Sequence, residues 1–172
     1  MTPPFAVRNE RGASAPPLAS EAFVVVRVGD HRAAWPVHEV REVRLPVPLV
    51  RDPALPGFAD GALLVRRALV PVVDLRRRWS VPPAADVADR IVLTRVSPFV
   101  VGFVVDEVLG VVRAPARVPP PNLALPPGLA RGSVRAVVAL AGAPPAAEAF
   151  VVTPGEVLDD GERASLCAPR PS

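Results

Sequence analysis

The stretch Phe23-Val-Val-Val-Arg-Val28, Gly29-Asp30, His31-Arg-Ala-Ala-Trp-Pro-Val37 decides the fold. A β-branched run, a glycine-bearing turn and a second extended run predict a β-hairpin. The design returns 68 residues later, where Ile91-Val-Leu-Thr-Arg-Val96 leads through Ser97-Pro98 into Phe99-Val-Val-Gly-Phe-Val-Val105. At that offset residues 23–46 and 91–114 coincide at Val24/Val92, Arg27/Arg95, Val28/Val96, Val37/Val105, Glu39/Glu107, Val40/Val108 and Val43/Val111. Valines coincide easily in a valine-rich chain. The arginine and glutamate matches and the coincident turns do not, so the chain reads as a duplicated β unit. A weaker echo sets Pro56-Gly57-Phe58-Ala59 and Gly61 against Pro127-Gly128-Leu129-Ala130 and Gly132.

Working outward, Val43-Arg-Leu-Pro-Val-Pro-Leu-Val50 carries Pro46 and Pro48, which cannot donate to a ladder, so this strand is an edge or ends there. Gly61–Arg66 and Ala68–Leu75 predict a further strand pair, closed by one helical turn over Asp74-Leu-Arg-Arg-Arg-Trp79 with Asp74 as N-cap. Many short strands with turn signals point to an all-β protein of barrels rather than an open parallel sheet, with little helix. Twenty-four prolines in 172 residues agree, since each interior proline costs a helix about 3 kcal/mol.

Residues 1–20 and 161–172 read as tails. Between them lies one folded unit over 21–160, divided into a first barrel of about 21–88 and a second of about 89–160. No apolar run reaches the roughly 18 residues that would span a bilayer, and the amino end shows no secretory signal, so a cytoplasmic location is expected. All 20 basic residues are arginine. They outweigh 17 acidic residues by only +3, so the pI near 10.7 overstates a weak field.

Catalytic material is scarce. His31 and His38 stand in no metal-ligand spacing, and His31 beside the hairpin turn reads as a solvated loop residue. The absence of lysine rules out a Walker grip or a Schiff base. Cys167 is alone, which excludes an internal disulfide and a multi-cysteine metal site. Asp106 and Glu107 are strand neighbours pointing to opposite faces, so they do not form an acid/base pair. The chain reads as a non-enzyme with no cofactor and no metal. Arg66-Arg67 and Arg76-Arg77-Arg78 leave one alternative open, an arginine-rich double barrel that binds nucleic acid. Few aromatics lie near them, and a solvated basic face is the plainer reading.

At Gly61-x-x-x-x-Arg66-x-x-x-Pro71-Val-Val-Asp74-Leu75-Arg76, with Val37-x-x-Val40-x-Glu42-Val43 upstream and Val101-Gly102-Phe-Val-Val-Asp106-x-Val108 downstream, the chain resembles the CheW family of chemotaxis adaptors. The resemblance spans roughly 21–160. It implies two five-stranded β-barrels side by side around a shared hydrophobic zone, and a non-enzymatic scaffold bridging the cytoplasmic tips of chemoreceptors to the regulatory domain of a CheA-type histidine kinase. Carried over by position, it implies a receptor site at Val40, Glu42, Arg66, Val108 and Val111, with Glu42 and Arg66 paired. The kinase-facing surface would hold Leu45, Val47 and Leu49. Valines with an arginine suit a helix-in-groove contact.

The chain departs from the family pattern in four places. Arg67 follows the turn arginine where glycine is usual, and Ala136 follows Arg135 at what reads as the equivalent second-half position. Leu64 stands where asparagine is usual. Phe150-Val-Val-Thr153-Pro154-Gly155 replaces an apolar-Asp-Leu ending, after an enlarged loop over 141–147 expected to be exposed.

Overall fold

The computed structural model describes residues 20–82, 89–141 and 147–166. Ten strands run in chain order as β1 Glu21–Val28, β2 His31–Pro36, β3 Val40–Arg44, β4 Gly61–Val65, β5 Ala68–Asp74, β6 Arg90–Val96, β7 Phe99–Val105, β8 Glu107–Ala114, β9 Ala136–Ala139 and β10 Glu148–Val151. Among the described residues there are also three short α-helices, α1 Leu75–Arg78, α2 Pro154–Val157 and α3 Asp160–Ser165, and two 3-10 turns, Val37–Glu39 and Arg131–Ser133. The strands form two five-stranded sheets, ordered β8-β1-β2-β10-β9 and β3-β6-β7-β5-β4.

This is the expected double barrel, but the sequential division at 88/89 is wrong. Each half-chain gives its hairpin to one sheet and its remaining three strands to the other. The β1–β2 hairpin is completed by β8, β9 and β10, and the β6–β7 hairpin by β3, β4 and β5. The repeat itself survives in the register. Phe23 faces Pro36 as Ile91 faces Val104, and Val24 faces Val111 as Val92 faces Val43. Even the bulges match: Val25/Val26 skip from Gly110 to Val108, and Leu93/Thr94 skip from Glu42 to Val40. The parallel pairs Val72–Gly102 and Val151–Ala34 correspond as well.

The unbroken apolar runs have a physical reason. Alternate residues of β1 serve two cores: Val24, Val26 and Val28 join the large cluster between the sheets, while Phe23 and Val25 fill the first barrel with Ala34, Val138 and Val151. On β6, Val92 and Val96 join the shared cluster, and Ile91 and Leu93 fill the second barrel with Leu63, Val70 and Val72. Trp35 and Phe103, equivalent under the repeat, meet each other with ring centroids 5.6 Å apart. Both are fully buried.

Several local expectations need amendment. The strand read over Val43–Val50 ends at Arg44, and the run through Pro46 and Pro48 is extended but unpaired until Val50 bridges Ala62. Ala136 is at no turn. It opens β9 opposite Val151, as Gly61 opens β4 opposite Val72, so the echo at Gly132 is out of step. His31 lies within β2, half-buried, and burial pushes its imidazole below the ordinary value. The carboxyl tail does not begin at 161. Asp159 caps α3 by accepting from the Glu162 N–H at 2.8 Å, the Glu162 carboxylate accepts in turn from the Asp159 N–H, and Leu166 packs on the shared core. The loop over 141–147 lies largely outside the described residues.

Other local readings hold. Asp74 caps α1, its side chain accepting from the Arg76 N–H at 2.9 Å. Thr153 stands at the corresponding place after β10 and caps α2 in a box with Glu156, so the altered ending keeps the cap. Asp106 and Glu107 face apart: Asp106 is fully buried, and Glu107 pairs with Arg27 at 3.0 Å. The buried Asp106 accepts from the Gly29 N–H at 2.6 Å and from Arg76 at 3.3 Å. Arg76 grips Asp74 at 2.8 Å and 3.0 Å and reaches Asp89 at 2.9 Å. Hydrogen bonds to Asp74 lead the effects that hold this guanidinium above its ordinary range, against the opposing effect of burial.

The β4–β5 turn is a two-residue loop closed by the Val65–Ala68 pair, with Arg66 at φ 46° and Arg67 at φ 71°. Both signs fit a type I′ hairpin, the geometry for which glycine is suited and arginine is not.

Glu39 sits in the 3-10 turn Val37–Glu39 that carries the chain from the first sheet to the second. Its repeat partner Glu107 is satisfied by Arg27, but Glu39 forms no ion pair with Arg95 among the described residues, and its Oε2 is buried without a hydrogen bond. Burial, the leading cause, raises its carboxyl above the ordinary value. His38 and Arg135 oppose the rise and Glu156 adds to it. Burial would raise Glu156 too, yet hydrogen bonds from Arg135 and from the Thr153 N–H and hydroxyl outweigh it and hold that carboxyl low.

Three stability outcomes are expected. Arg67→Gly relieves a left-handed arginine and raises the melting temperature by about 2–4 °C, the response to about 1 kcal/mol. Arg76→Ala, which strands buried Asp106, costs about 3–5 kcal/mol by urea denaturation, whereas Arg77→Ala, whose side chain is 76% exposed, costs less than about 1 kcal/mol. For Glu39, a raised folded-state pKa means that its contribution to stability is whole below the ordinary glutamate value of about 4.3 and is lost as pH rises through the folded value. Glu39→Gln should therefore melt higher than the wild type at pH 7, with the advantage vanishing near pH 4.

Candidate functional site

The strand crossovers leave β3 and β8, equivalent under the repeat, as edges of the two sheets. Val40 and Val108 are half-buried and pack on the shared core from these two strands. Val111 and its counterpart Val43 are exposed, at 62% and 42%. Val40 and Val108 are thus anchored on the shared core, while Val111 stands open to solvent on β8. No helix among the described residues is long and apolar enough to cross a membrane.

Glu42 and Arg66 do not form the expected pair. Glu42 accepts from Arg44 Nε at 2.8 Å. Two residues apart on a strand, these side chains share a face, so the local partner meets the carboxylate without help from a distant loop. Arg66, on the β4–β5 turn, has no ion pair among the described residues. Glu42 and Arg66 nevertheless border one cavity of about 380 Å³, with Arg41, Val70, Leu93 and Val100 among its other walls. Arg41 was not among the residues singled out from the sequence. The signal was present in the repeat, where the position equivalent to Arg41 is Leu109.

Leu45 and Val47 are exposed, at 67% and 48%, on the proline-bearing run that leaves β3. Leu49 is turned the other way and packs against the core of the second barrel. A Cβ at Gly61 would stand 2.7 Å from Leu49 Cβ, so the missing side chain at 61 is what lets this run lie against β4. Leu64, at the position where asparagine is usual, is 60% exposed on the edge strand β4.

The arginine clusters are largely committed within the protein. Arg76 belongs to the Asp74–Asp89–Asp106 network, Arg77 pairs with Asp60, and Arg78 pairs with Glu162. A phosphate-binding patch built on residues 76–78 would have to break these pairs.

The model of the CheW-like domain matches residues 22–143, from β1 through β9. The chain is similar to the probable chemotaxis protein CheW of Rhizobium etli, 27% identical over 119 residues, which are 69% of this chain and 77% of that protein. It is also similar to the chemotaxis protein CheW of Rhizobium meliloti, 29% identical over 121 residues, 70% of this chain and 78% of that protein. Among solved structures, the scaffolding protein TtCheW of Thermoanaerobacter tengcongensis superposes with a TM-score of 0.62 at 20% identity, over 77% of this chain and 88% of that one. That likeness establishes the double-barrel fold. Since the family model accounts for most of the chain, and both duplicated hairpins lie within its span, this chain belongs to the CheW-like domain family.

Proposed function

We propose that this protein is a non-enzymatic coupling adaptor that links the cytoplasmic tips of chemoreceptors to the regulatory domain of a CheA-type histidine kinase, at a cytoplasmic face. The observation that carries the reading is the family match over 22–143, and the exposed side chains of Val111 on β8 and of Leu45 and Val47 beyond β3 support two separate surfaces. A bridging protein needs two such surfaces and no reactive group. A receptor helix would lay its apolar side on Val40, Val108 and Val111, with Glu42 and Arg66 on β3 and the β4–β5 turn as polar contacts. Leu45 and Val47 supply the kinase contact, and Leu49 holds their run against the second barrel from beneath. The nucleic-acid alternative is weakened because Arg76, Arg77 and Arg78 are engaged by carboxylates.

Binding to the two partners should separate by mutation. Val111→Asp places a charge on an exposed apolar anchor and should weaken receptor-tip binding about tenfold or more, a loss of about 1.4 kcal/mol, without changing kinase affinity. Leu45→Asp should do the converse. Both side chains are exposed, so both variants should melt as the wild type does. Isothermal titration against a receptor tip, a kinase regulatory domain and a generic duplex oligonucleotide decides the matter. Tight, steeply salt-dependent binding to the oligonucleotide with none to either protein would establish the alternative.

A further inference from the structure

The repeat supplies an internal comparison for β3. Its bulge pairs Thr94 with Val40 as the bulge of β8 pairs Val26 with Val108, so the two strands share one register although Gly110 takes a φ of 135° that Glu42 does not. Across that bulge β8 carries Leu109 and Gly110, while β3 carries Arg41 and Glu42. The fold is therefore satisfied without charges at these positions, and the ionic rim on β3 needs another reason. Glu42 is occupied by Arg44 at 2.8 Å, whereas Arg41 and Arg66 have no ion pair among the described residues. Both border the 380 Å³ cavity, whose floor includes Val70, Leu93 and Val100.

We propose that this cavity receives an acidic side chain, an aspartate or glutamate on an amphipathic segment of a protein partner, with the carboxylate between Arg41 and Arg66 and its aliphatic stem on the valine and leucine floor. The proposal rests on the adaptor reading and adds to it the chemistry of the docking segment. An internal Glu42–Arg66 pair would have neutralised this rim, but the Arg44 bond frees Arg66 for a carboxylate from outside. Guanidinium groups bind carboxylates through paired, charge-assisted hydrogen bonds, and two of them converging on one cavity suit a single acid. A nucleic-acid strand fits less well. It needs a longer basic track and stacking rings, and no aromatic side chain lines the cavity.

The test uses Arg41→Ala, Arg66→Ala and the double variant. All three remove exposed side chains and should leave the melting temperature unchanged. Against the receptor tip and the kinase regulatory domain, the double variant should lose about tenfold or more in affinity for one partner only, and that partner's binding should lose its sensitivity to added NaCl. Arg66→Glu should be rescued by changing one acidic residue of that partner to arginine. Wild-type binding to both partners with an unaffected double variant would overturn this proposal and leave the adaptor reading intact.

If the wild type binds neither protein, the adaptor reading fails and a second arm still judges the cavity. Hexaglutamate peptide titrated into ¹⁵N-labelled protein at low salt should shift the Arg41 and Arg66 Nε–H resonances and leave the double variant silent. No shift at either arginine would overturn the proposal. An equal response to inorganic phosphate would also overturn it, by making the cavity a general anion site.

Discussion

Asp106 ties the molecule together at the point where the chain leaves one sheet for the other. It sits between β7 and β8, fully buried, and accepts from the Gly29 N–H of the first hairpin turn and from Arg76 after β5. One carboxylate thus links the first hairpin to a strand pair of the opposite sheet. A buried charge of this kind is costly unless every partner is in place. The demand fixes the Gly29 turn, the start of α1 and the β7–β8 crossover together. The equivalent crossover after β2 has His38 at the corresponding position, and its side chain is 74% exposed. The duplication therefore places a fully buried aspartate at one crossover and, at the other, an exposed histidine 3.9 Å from Glu39.

The hairpins, the repeat, the Asp74 cap and the opposed faces of Asp106 and Glu107 were all legible in the sequence, because each depends on residues close together in the chain. Sheet membership was not. Alternation assigns β1 two buried faces but does not say which strand lies beside it, and β3 and β8 carry nearly the same valine pattern. The exchange becomes visible only when Val24 is found opposite Val111 and Val92 opposite Val43. The carboxyl helix α3 was missed for a different reason. Asp159 and Glu162 form a capping box at the right spacing, but Gly161 and the short length hide it from a propensity reading.

At the candidate site the polar pair failed to form, while the apolar positions were found on or beside the shared core. Val40 and Val108 sit on the shared core because the repeat geometry places them there. The Glu42–Arg66 pairing depended on a long loop bringing two side chains together, and a closer arginine on the same strand face displaced it. Arg44 was visible two residues from Glu42, so strand periodicity alone could have raised that competitor. Leu49 shows the same lesson on the other surface: in Leu45-Pro-Val-Pro-Leu49 the three apolar side chains look equivalent, yet the contact with Gly61 turns the last one inward.

Duplication gives β3 and β8 nearly matching apolar positions, and a partner bound by those valines alone could lie against them in either direction. Val40 answers to Val108 and Val43 to Val111, so these positions carry no polarity of their own. Polarity has to come from positions where the copies diverged. Arg41 and Glu42 stand on β3 where Leu109 and Gly110 stand on β8, and the Arg66–Arg67 turn has no counterpart at Ala136. The strained turn is consistent with this division of labour, since two left-handed arginines cost stability that glycine would spare. On the proposed reading the valines would supply contact area, and the charges that break the repeat would set the direction in which a partner lies.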